Sequence, residues 1–222
     1  MSIAAIIVAA GSGTRLGGPV PKQYQMLGER MILTRTIEAL LACPRLDQII
    51  TAISPEARTL YDKATSEIDS RRLIAPAAGG DSRAASVRNA LEALAADAPD
   101  RVLIHDGARP FVTAEALENL CETEDAAILA EPVVDALWFE ADGHADRPHP
   151  RDGLWRAQTP QAFPYAQILA AHRADADATT PALDDAETFR RAGHRVRLIP
   201  GAPDNFKITT AADMDRARRY LT

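Results

Sequence analysis

The chain begins with an uninterrupted apolar run, and this run limits the folds that it can adopt. Residues 3 to 8 read Ile-Ala-Ala-Ile-Ile-Val, with no polar residue at alternate positions. A strand with one solvated face would alternate, so the run predicts a strand that is buried on both faces. Up to residue 130, strand-like and helix-like patterns then alternate, which indicates an α/β fold with a parallel sheet covered by helices on both faces.

A loop of small residues follows the first strand and has the character of a phosphate-binding site. Its residues allow backbone N–H groups to approach an anion closely; the small ones are Ala9, Ala10, Gly11 and Gly13. Arg15 and Lys22 add two positive charges to the same stretch. We interpret it as a phosphate cradle with two charged clamps, and the alternative is a flexible strand-to-helix connection.

Neither of two common phosphate-binding fingerprints accounts for this loop. Leu16 stands where the dinucleotide pattern G-x-G-x-x-G requires its last glycine. Pro19 follows Gly18 where the P-loop pattern requires lysine. The loop therefore indicates phosphate binding without identifying the ligand.

Two later loops are expected at the same edge of the sheet. One contains Gly80 and Asp81, and the other begins with Asp106, directly after an apolar strand at 101–105. Ligands of parallel sheets bind outside the carboxyl ends of the strands, so the three loops should converge. A carboxylate there can hold Mg²⁺ together with phosphate oxygens, whereas an Asx turn is the structural alternative. Beside a phosphate cradle, we favour metal binding by Asp106.

The remaining candidate residues supply positive charge rather than a nucleophile. Lys207 lies between Phe206 and Ile208, where it either serves a site or faces solvent on an edge strand. The five histidines show no metal-binding spacing, and no Ser/His/Asp or Cys/His pairing stands out. Cations, glycines and one placed carboxylate fit phosphoryl or nucleotidyl transfer, in which the substrate supplies the nucleophile. The net charge of −6 does not favour nucleic acid, so an anionic ligand needs a local cluster of cations.

Residues 133 to 152 break the alternation and predict a protruding β-arm. Asp142-Gly143 is a hairpin turn signal, and prolines interrupt the polar return limb. A lone hairpin is only marginally stable, so it needs a partner surface. Trp138 and Phe139 favour docking against a second subunit over folding back onto the same chain.

Three further expectations concern connecting segments. The sequence predicts a short strand at 73–75, an irregular connection at 153–161 and a short strand at 205–208. The simplest organisation is a single domain over residues 1–222 with the β-arm as an excursion. No membrane span or leader is recognisable and the two cysteines have no metal or redox spacing, so a cytoplasmic location is expected.

Five motifs, in order along the chain, resemble those of the 2-C-methyl-D-erythritol 4-phosphate cytidylyltransferase family of the non-mevalonate isoprenoid pathway. They are Ala9-Ala10-Gly11-x-Gly13-x-Arg15 with Pro21-Lys22-Gln23, Gly80-Asp81-x-Arg83-x-x-Ser86-Val87, His105-Asp106-x-Ala108-Arg109-Pro110, Gly153-Leu154-Trp155-x-Ala157-Gln158-Thr159-Pro160-Gln161, and Asp204-Asn205-x-Lys207. The resemblance implies a Rossmann-like α/β fold and a homodimer built through the β-arm. It also implies cytidylyl transfer from CTP to a polyol phosphate, with Mg²⁺ or another divalent cation as cofactor.

The resemblance further implies a role for each matching residue. By this similarity, the residues that contact CTP are Ala9, Ala10, Gly11, Gly13, Gly80, Asp81 and Ser86. The implied catalytic set is Arg15, Lys22, Lys207 and Arg151, and the implied metal ligand is Asp106. The residues implied to bind methylerythritol phosphate are Asp106, Arg109, Arg151, Thr159 and Lys207, with Arg151 reaching from the partner's arm.

The chain departs from the family pattern on the acceptor side. Ala136 and Trp138 stand where the family usually has Thr and Lys, and Leu183 stands where it usually has Thr. The hydroxyl lost at position 136 would leave acceptor hydrogen bonds unmade, at about 0.5–1.5 kcal/mol each. Two alternatives follow: the same chemistry on ribitol 5-phosphate or another polyol phosphate, and nucleotide binding without turnover. The presence of Arg15, Lys22, Asp106 and Lys207 argues against the second.

Overall fold

The computed structural model describes residues 1–11 and 20–221. The strands are β1 (Ile3–Ala9), β2 (Met26–Leu27), β3 (Arg30–Met31), β4 (Gln48–Ile53), β5 (Ala77–Ala78), β6 (Arg101–Asp106), β7 (Ala127–Pro132), β8 (Leu137–Ala141), β9 (His144–His149), β10 (Trp155–Pro164) and β11 (Arg197–Pro200). The helices are α1 (Ile32–Leu41), α2 (Arg58–Thr65), α3 (Arg83–Ala93), α4 (Ala114–Glu122), α5 (Tyr165–Ala174), α6 (Asp185–Arg191) and α7 (Ala211–Tyr220). Within the described ranges, no helix is long and apolar enough to span a membrane.

Seven strands form one sheet in the order β11-β7-β10-β6-β1-β4-β5. β1 pairs in parallel with β4 and with β6, and the pairs β4–β5 and β7–β11 are parallel too. In this sheet β10 alone runs antiparallel, against both β6 and β7. The predicted α/β fold with a mostly parallel sheet is therefore confirmed.

β1 is buried on both faces, as its apolar run predicts. Ile3, Ala5 and Ile7 pack in one cluster with residues of α1 and α4. Ala4 and Ile6 pack in a second cluster with residues of α3, α5 and α6. Because successive side chains of a strand point to opposite faces, β1 holds a layer of helices against each side of the sheet.

The irregular connection predicted at 153–161 is wrong. From Trp155 onward this segment belongs to β10, the antiparallel strand between β6 and β7. Its pairing register shifts between Ala157 and Gln161, its first three residues are exposed, and the next six are buried. A strand that passes from solvent into the core shows no single alternation, and this is why its sequence has the look of a loop.

The two short strands predicted at 73–75 and 205–208 are wrong as well. Leu73 makes one isolated bridge to Ile49, and the edge strand next to β4 is β5 instead. In the second segment, the N–H of Ile208 donates to the carbonyl of Ala108 at 2.9 Å, but the segment belongs to none of the strands given above. Ile208 is fully buried, so its apolar character reflects packing rather than sheet pairing.

β8 and β9 form a separate two-stranded antiparallel sheet. Both residues of the connecting turn, Asp142 and Gly143, have positive φ angles, of 52° and 78°. Such a turn matches the twist of a hairpin, in agreement with the turn signal in the sequence. Trp138 on this hairpin is 58% exposed, and its docking against a second subunit stays a prediction.

Phe163 tests how far the buried half of β10 supports the fold. Its ring is fully buried and packs against Phe189 of α6, with 5.1 Å between the ring centroids. Phe163→Ala should lower the free energy of unfolding by about 3–5 kcal/mol, because it leaves a cavity in the core. Leu198→Ala, at an exposed position of the edge strand β11, should cost less than about 1 kcal/mol. Urea denaturation followed by circular dichroism measures both, and equal losses would contradict this placement of β10.

Candidate active site

A cleft of about 470 Å³ opens where β1 and β6 end. Its walls come from the loop after β1, the segment that leads into α3, the loop after β6, and a segment close to the end of the described chain. The predicted site residues that line it are Ala9, Ala10, Gly11, Lys22, Gly80, Asp81, Ser86, Asp106 and Lys207. The predicted residues Gly13 and Arg15 lie outside the described part of the chain.

Close backbone contacts join two of these walls. A Cβ atom on Gly79 would lie 2.4 Å from the Cβ of Ala10, and one on Gly80 would lie 2.6 Å from the Cβ of Ala85. Only glycine allows the segment before α3 to approach both neighbours so closely. The Oγ atom of Ser86 accepts a hydrogen bond from the N–H of Gly80 at 3.0 Å and fixes the same segment to α3.

Gln23 holds the end of β1 in place. Its buried side-chain amide donates to the carbonyl of Ala9 at 2.7 Å and to the carbonyl of Gly11 at 2.9 Å. Ala9 is the last residue of β1 that pairs with β4, and Gly11 lies beyond that pairing, so a side chain holds the backbone where the sheet hydrogen bonds end. The backbone at Ala9 and Gly11 is thereby held in place by the protein itself, which is the property that an anion site needs.

Three positively charged side chains converge on the carboxylate of Asp106. Its carboxylate lies 3.0 Å from Nζ of Lys207, 3.3 Å from Nε of Arg109 and 3.5 Å from Nε of Arg83. Burial raises the pKa of this carboxyl group, but the three cations, Lys207 foremost, outweigh burial and hold the pKa well below its usual range. Asp106 is therefore ionised, and three cations around one carboxylate leave positive charge for an anionic ligand.

Lys22 and Lys207 reach the cleft from opposite ends of the chain. The ammonium group of Lys22 donates to the carbonyl of Ile208 at 2.8 Å, one residue after Lys207. The ammonium group of Lys207 lies on the carboxylate of Asp106. The alternative in which Lys207 points to bulk solvent on an edge strand is therefore wrong.

A chain of buried hydrogen bonds shapes the turn that carries Asp106. The hydroxyl oxygen of Thr159 accepts from the N–H of Asp106 at 3.0 Å and lies 3.0 Å from Nδ1 of His105. Nε2 of His105 lies 2.9 Å from the carbonyl oxygen of Arg109. Burial lowers the pKa of His105 to about 4, so the ring is neutral, accepting at Nδ1 and donating at Nε2. β10 thus fixes both ends of the turn through Thr159.

The other predicted acceptor residues divide into two groups. Arg109 and Thr159 support Asp106, and a guanidinium nitrogen of Arg109 also donates to the carbonyl of Asn205 at 2.7 Å. Arg151 lies apart from them, where it is exposed and donates to the carbonyl of Val134 at the base of the hairpin. Within the described chain, none of the three lines the cleft: Arg109 and Thr159 lie behind Asp106, and Arg151 lies on the hairpin side.

Arg83 belongs to the site although the sequence patterns assign it no role. It is the first residue of α3, lines the cleft, and pairs with both Asp106 and Asp185. The one available signal is its place in the Gly80-to-Val87 motif. His105 is a second residue that the sequence does not single out, because a buried histidine that orients a turn has no characteristic spacing.

The cleft offers limited support for a divalent cation by itself. Among residues 1–11 and 20–221, no group of three or more His, Cys, Asp or Glu side chains is placed to hold a metal ion. Asp106 is ionised and faces the cleft, and Mg²⁺ often takes one or two carboxylates with phosphate oxygens and water. The residues therefore fit a cation that arrives together with a phosphorylated ligand.

Sequence comparison places the chain among known enzymes. A model of the IspD family, described as 2-C-methyl-D-erythritol 4-phosphate cytidylyltransferase, matches residues 3–222. The 2-C-methyl-D-erythritol 4-phosphate cytidylyltransferase of Cereibacter sphaeroides strain ATCC 17023 is 46% identical over 224 residues, covering 100% of this chain and 97% of the relative. The bifunctional enzyme IspD/IspF of Rhodospirillum rubrum is 47% identical, covering 99% of this chain and 57% of its own length.

Solved structures give the same relationship. The crystal structure of 2-C-methyl-D-erythritol 4-phosphate cytidylyltransferase from Thermus thermophilus has a TM-score of 0.82 and 29% identity, covering 99% of this chain and 98% of that one. The Francisella tularensis enzyme of the same name has a TM-score of 0.82 and 26% identity, covering 99% of both chains.

The hydroxyl of Thr159 can be tested directly. Thr159→Val keeps the shape of the side chain but leaves the N–H of Asp106 and Nδ1 of His105 without partners. The free energy of unfolding should fall by about 1–3 kcal/mol. Thr159→Ser keeps the hydroxyl and is the matched control, with an expected loss below about 1 kcal/mol. Urea denaturation measures both variants, and an undiminished stability of Thr159→Val would show that the hydroxyl does not hold the turn.

Proposed function

Because the chain belongs to the 2-C-methyl-D-erythritol 4-phosphate cytidylyltransferase family, we propose that this cleft joins CTP and 2-C-methyl-D-erythritol 4-phosphate into 4-diphosphocytidyl-2-C-methyl-D-erythritol and pyrophosphate. Its family makes the chain a nucleotidyltransferase of isoprenoid biosynthesis. The observation that carries the assignment to this cleft is the meeting of Lys22, Lys207 and Asp106 beside two glycine-containing loops.

CTP is proposed to lie across the loops that follow β1 and β5. The cleft volume of about 470 Å³ is that of a small-molecule site, which supports this placement. The proposed contacts are Ala9, Ala10, Gly11, Gly80, Asp81 and Ser86, together with Gly13. Most of these residues are small, so the nucleotide would be recognised largely through backbone groups held in fixed positions.

In the proposed reaction, the substrate's own phosphate is the nucleophile. One of its oxygens forms a bond to the α-phosphorus of CTP while the bond from that phosphorus to the oxygen bridging to the β-phosphate breaks. Pyrophosphate leaves with the electron pair of the broken bond. Negative charge grows around the α-phosphate, and Lys22, Lys207 and Arg15 are proposed to stabilise it.

A divalent cation such as Mg²⁺ is proposed to bind Asp106 together with phosphate oxygens of CTP. When bound, it would neutralise charge on the phosphates and favour departure of pyrophosphate. The low pKa of Asp106 supports this role, because the carboxylate stays ionised near neutral pH. Lys207, Arg109 and Arg83 compete for the same carboxylate, so the cation must displace part of their contact.

The acceptor is proposed to lie next to Asp106, contacted by Arg109, Thr159 and Lys207. Arg151 is proposed to act from the β-arm of a second subunit in a homodimer. The position of Arg151 at the base of the exposed hairpin and the exposure of Trp138 on that hairpin support this arrangement. We further propose that residues 1–222 form one domain and that the protein works in the cytoplasm, where its two free, buried cysteines would stay reduced.

The choice of acceptor is tested by a direct assay. Purified protein is given CTP and Mg²⁺ with either 2-C-methyl-D-erythritol 4-phosphate or ribitol 5-phosphate, and pyrophosphate release is followed. The value of kcat/KM should be higher for the methylerythritol phosphate. A higher value for ribitol phosphate would overturn that choice, and CTP binding without pyrophosphate release from either acceptor would overturn the proposed transfer reaction.

Lys22 should contribute more to catalysis than to nucleotide binding. Lys22→Ala is expected to lower kcat by about 100-fold or more, because the charge that it stabilises develops mainly in the transition state. The affinity for CTP, measured by calorimetry without acceptor, should change by less than about fivefold. Lys63→Ala, at an exposed position of α2, is the control and should change neither quantity. Equal losses of kcat and affinity would contradict the role.

A site shared between subunits makes a prediction about mixed dimers. Arg151→Ala and Lys22→Ala proteins are each expected to have little activity. If Arg151 serves the neighbouring subunit, a mixed dimer contains one site with both residues intact. Dissociation and reassociation of the two variants together should therefore restore activity, up to about a quarter of the wild-type value for random mixing of two subunits. No recovery above either parent would argue against the shared site.

A further inference from the structure

Arg83 lies between two carboxylates and is closer to one of them. A terminal guanidinium nitrogen is 2.8 Å from Oδ2 of Asp185, whereas Nε is 3.5 Å from Oδ1 of Asp106. The first distance is that of a full charge-assisted hydrogen bond, and the second is that of a loose ion pair. Arg83 is therefore held chiefly by Asp185 and makes only the looser contact with the carboxylate in the cleft.

Asp185 is fixed and does not take part in the cleft itself. It is the first residue of α6, it is fully buried, and it is absent from the cleft wall. Its second carboxylate oxygen, Oδ1, lies 3.1 Å from Nε2 of His172, a buried residue in the last turn of α5. Both oxygens are thus engaged, one by α5 and one by α3, and the carboxylate has little freedom to move.

Because Asp185 is buried, its charge depends on its two partners. Burial disfavours the charged form of Asp185, yet Arg83 and His172 outweigh that effect and lower its pKa, so it remains a carboxylate. Removing one partner of a buried ion pair leaves an uncompensated charge, which is strongly unfavourable. The remaining partner should therefore pair with another group of opposite charge. Among the described residues, the other carboxylate within 4 Å of Arg83 is Asp106, and Asp184 acts on Arg83 from farther away.

We propose that Asp185, anchored by His172, is a positioning residue that holds Arg83 back from Asp106 and so keeps the Asp106 carboxylate available for the divalent cation. This inference rests on the proposed binding of that cation to Asp106. Asp185 touches neither nucleotide nor acceptor in this arrangement, and it acts only through Arg83. The packing of α5 and α6 is thereby linked to the affinity of the cleft for the metal.

The proposal predicts opposite behaviour for a single and a double substitution. Asp185→Asn keeps the size of the side chain and removes its charge, so Arg83 closes on Asp106 and competes with the cation. The dissociation constant of the cation should rise about threefold to tenfold. Adding Arg83→Gln removes the competitor, so no unpaired guanidinium is left to close on Asp106, and the dissociation constant of the double variant should return to the wild-type value or below.

The measurement is Mn²⁺ binding to the protein–CTP complex without acceptor, followed by electron paramagnetic resonance of free Mn²⁺, with CTP alone as the blank. Glu187→Gln is the matched control, because it removes one negative charge from the same helix, where Glu187 pairs with Arg191 and not with Arg83. It should leave the dissociation constant unchanged. Circular dichroism and thermal unfolding establish that each variant is folded.

The outcomes separate this inference from the proposed function. Unchanged Mn²⁺ binding by Asp106→Asn would overturn the metal assignment and the inference with it. Loss of binding in Asp106→Asn with an unchanged constant in folded Asp185→Asn would overturn the inference alone. If Asp185→Asn does not fold, the double variant decides, since weaker binding than wild type would overturn the inference and equal or tighter binding would support it.

Discussion

One buried carboxylate ties the site to the rest of the molecule. Asp106 ends a central strand of the sheet and is only 6% exposed, yet three cations meet on it, two of them, Arg83 and Lys207, from distant parts of the chain. Arg83 also pairs with Asp185, and Arg109 also donates to the carbonyl of Asn205. The residue after Lys207, Ile208, accepts a hydrogen bond from Lys22. Removing the charge of Asp106 would leave like charges facing one another, so the convergence of the cleft walls depends on this one group.

The surrounding structure holds that carboxylate in a fixed place. Hydrogen bonds of Thr159 to the backbone of Asp106 and to His105 hold the turn that follows β6. Gln23 holds the end of β1 by a hydrogen bond to the carbonyl of Ala9. In phosphoryl and nucleotidyl transfer the protein contributes mainly position and charge, and these supports provide both before a ligand binds. The antiparallel strand β10 has an unexpected part in this, because it places Thr159 beside the end of β6, its neighbour in the sheet.

The sequence predicts well wherever burial is uniform and poorly wherever it changes along a segment. The run at 3–8 and the strand that ends at Asp106 are buried on both faces, and their patterns predict the correct strands. β10 changes from exposed to buried within one strand, and the segment around Lys207 is apolar because it packs, so the predictions for both are wrong. Asp185 and His172 could not be found from sequence, because their importance lies in a contact between helices that no local pattern records.

A crystal structure of the protein with CTP and Mg²⁺ bound would show directly whether Asp106 has this role. We expect a triphosphate in the cleft, the metal ion on Asp106, and the ammonium groups of Lys22 and Lys207 turned towards the α-phosphate. Arg83 should remain on Asp185. A nucleotide bound outside the cleft, with Lys207 still paired to Asp106 and the metal elsewhere, would contradict the central role given to this carboxylate.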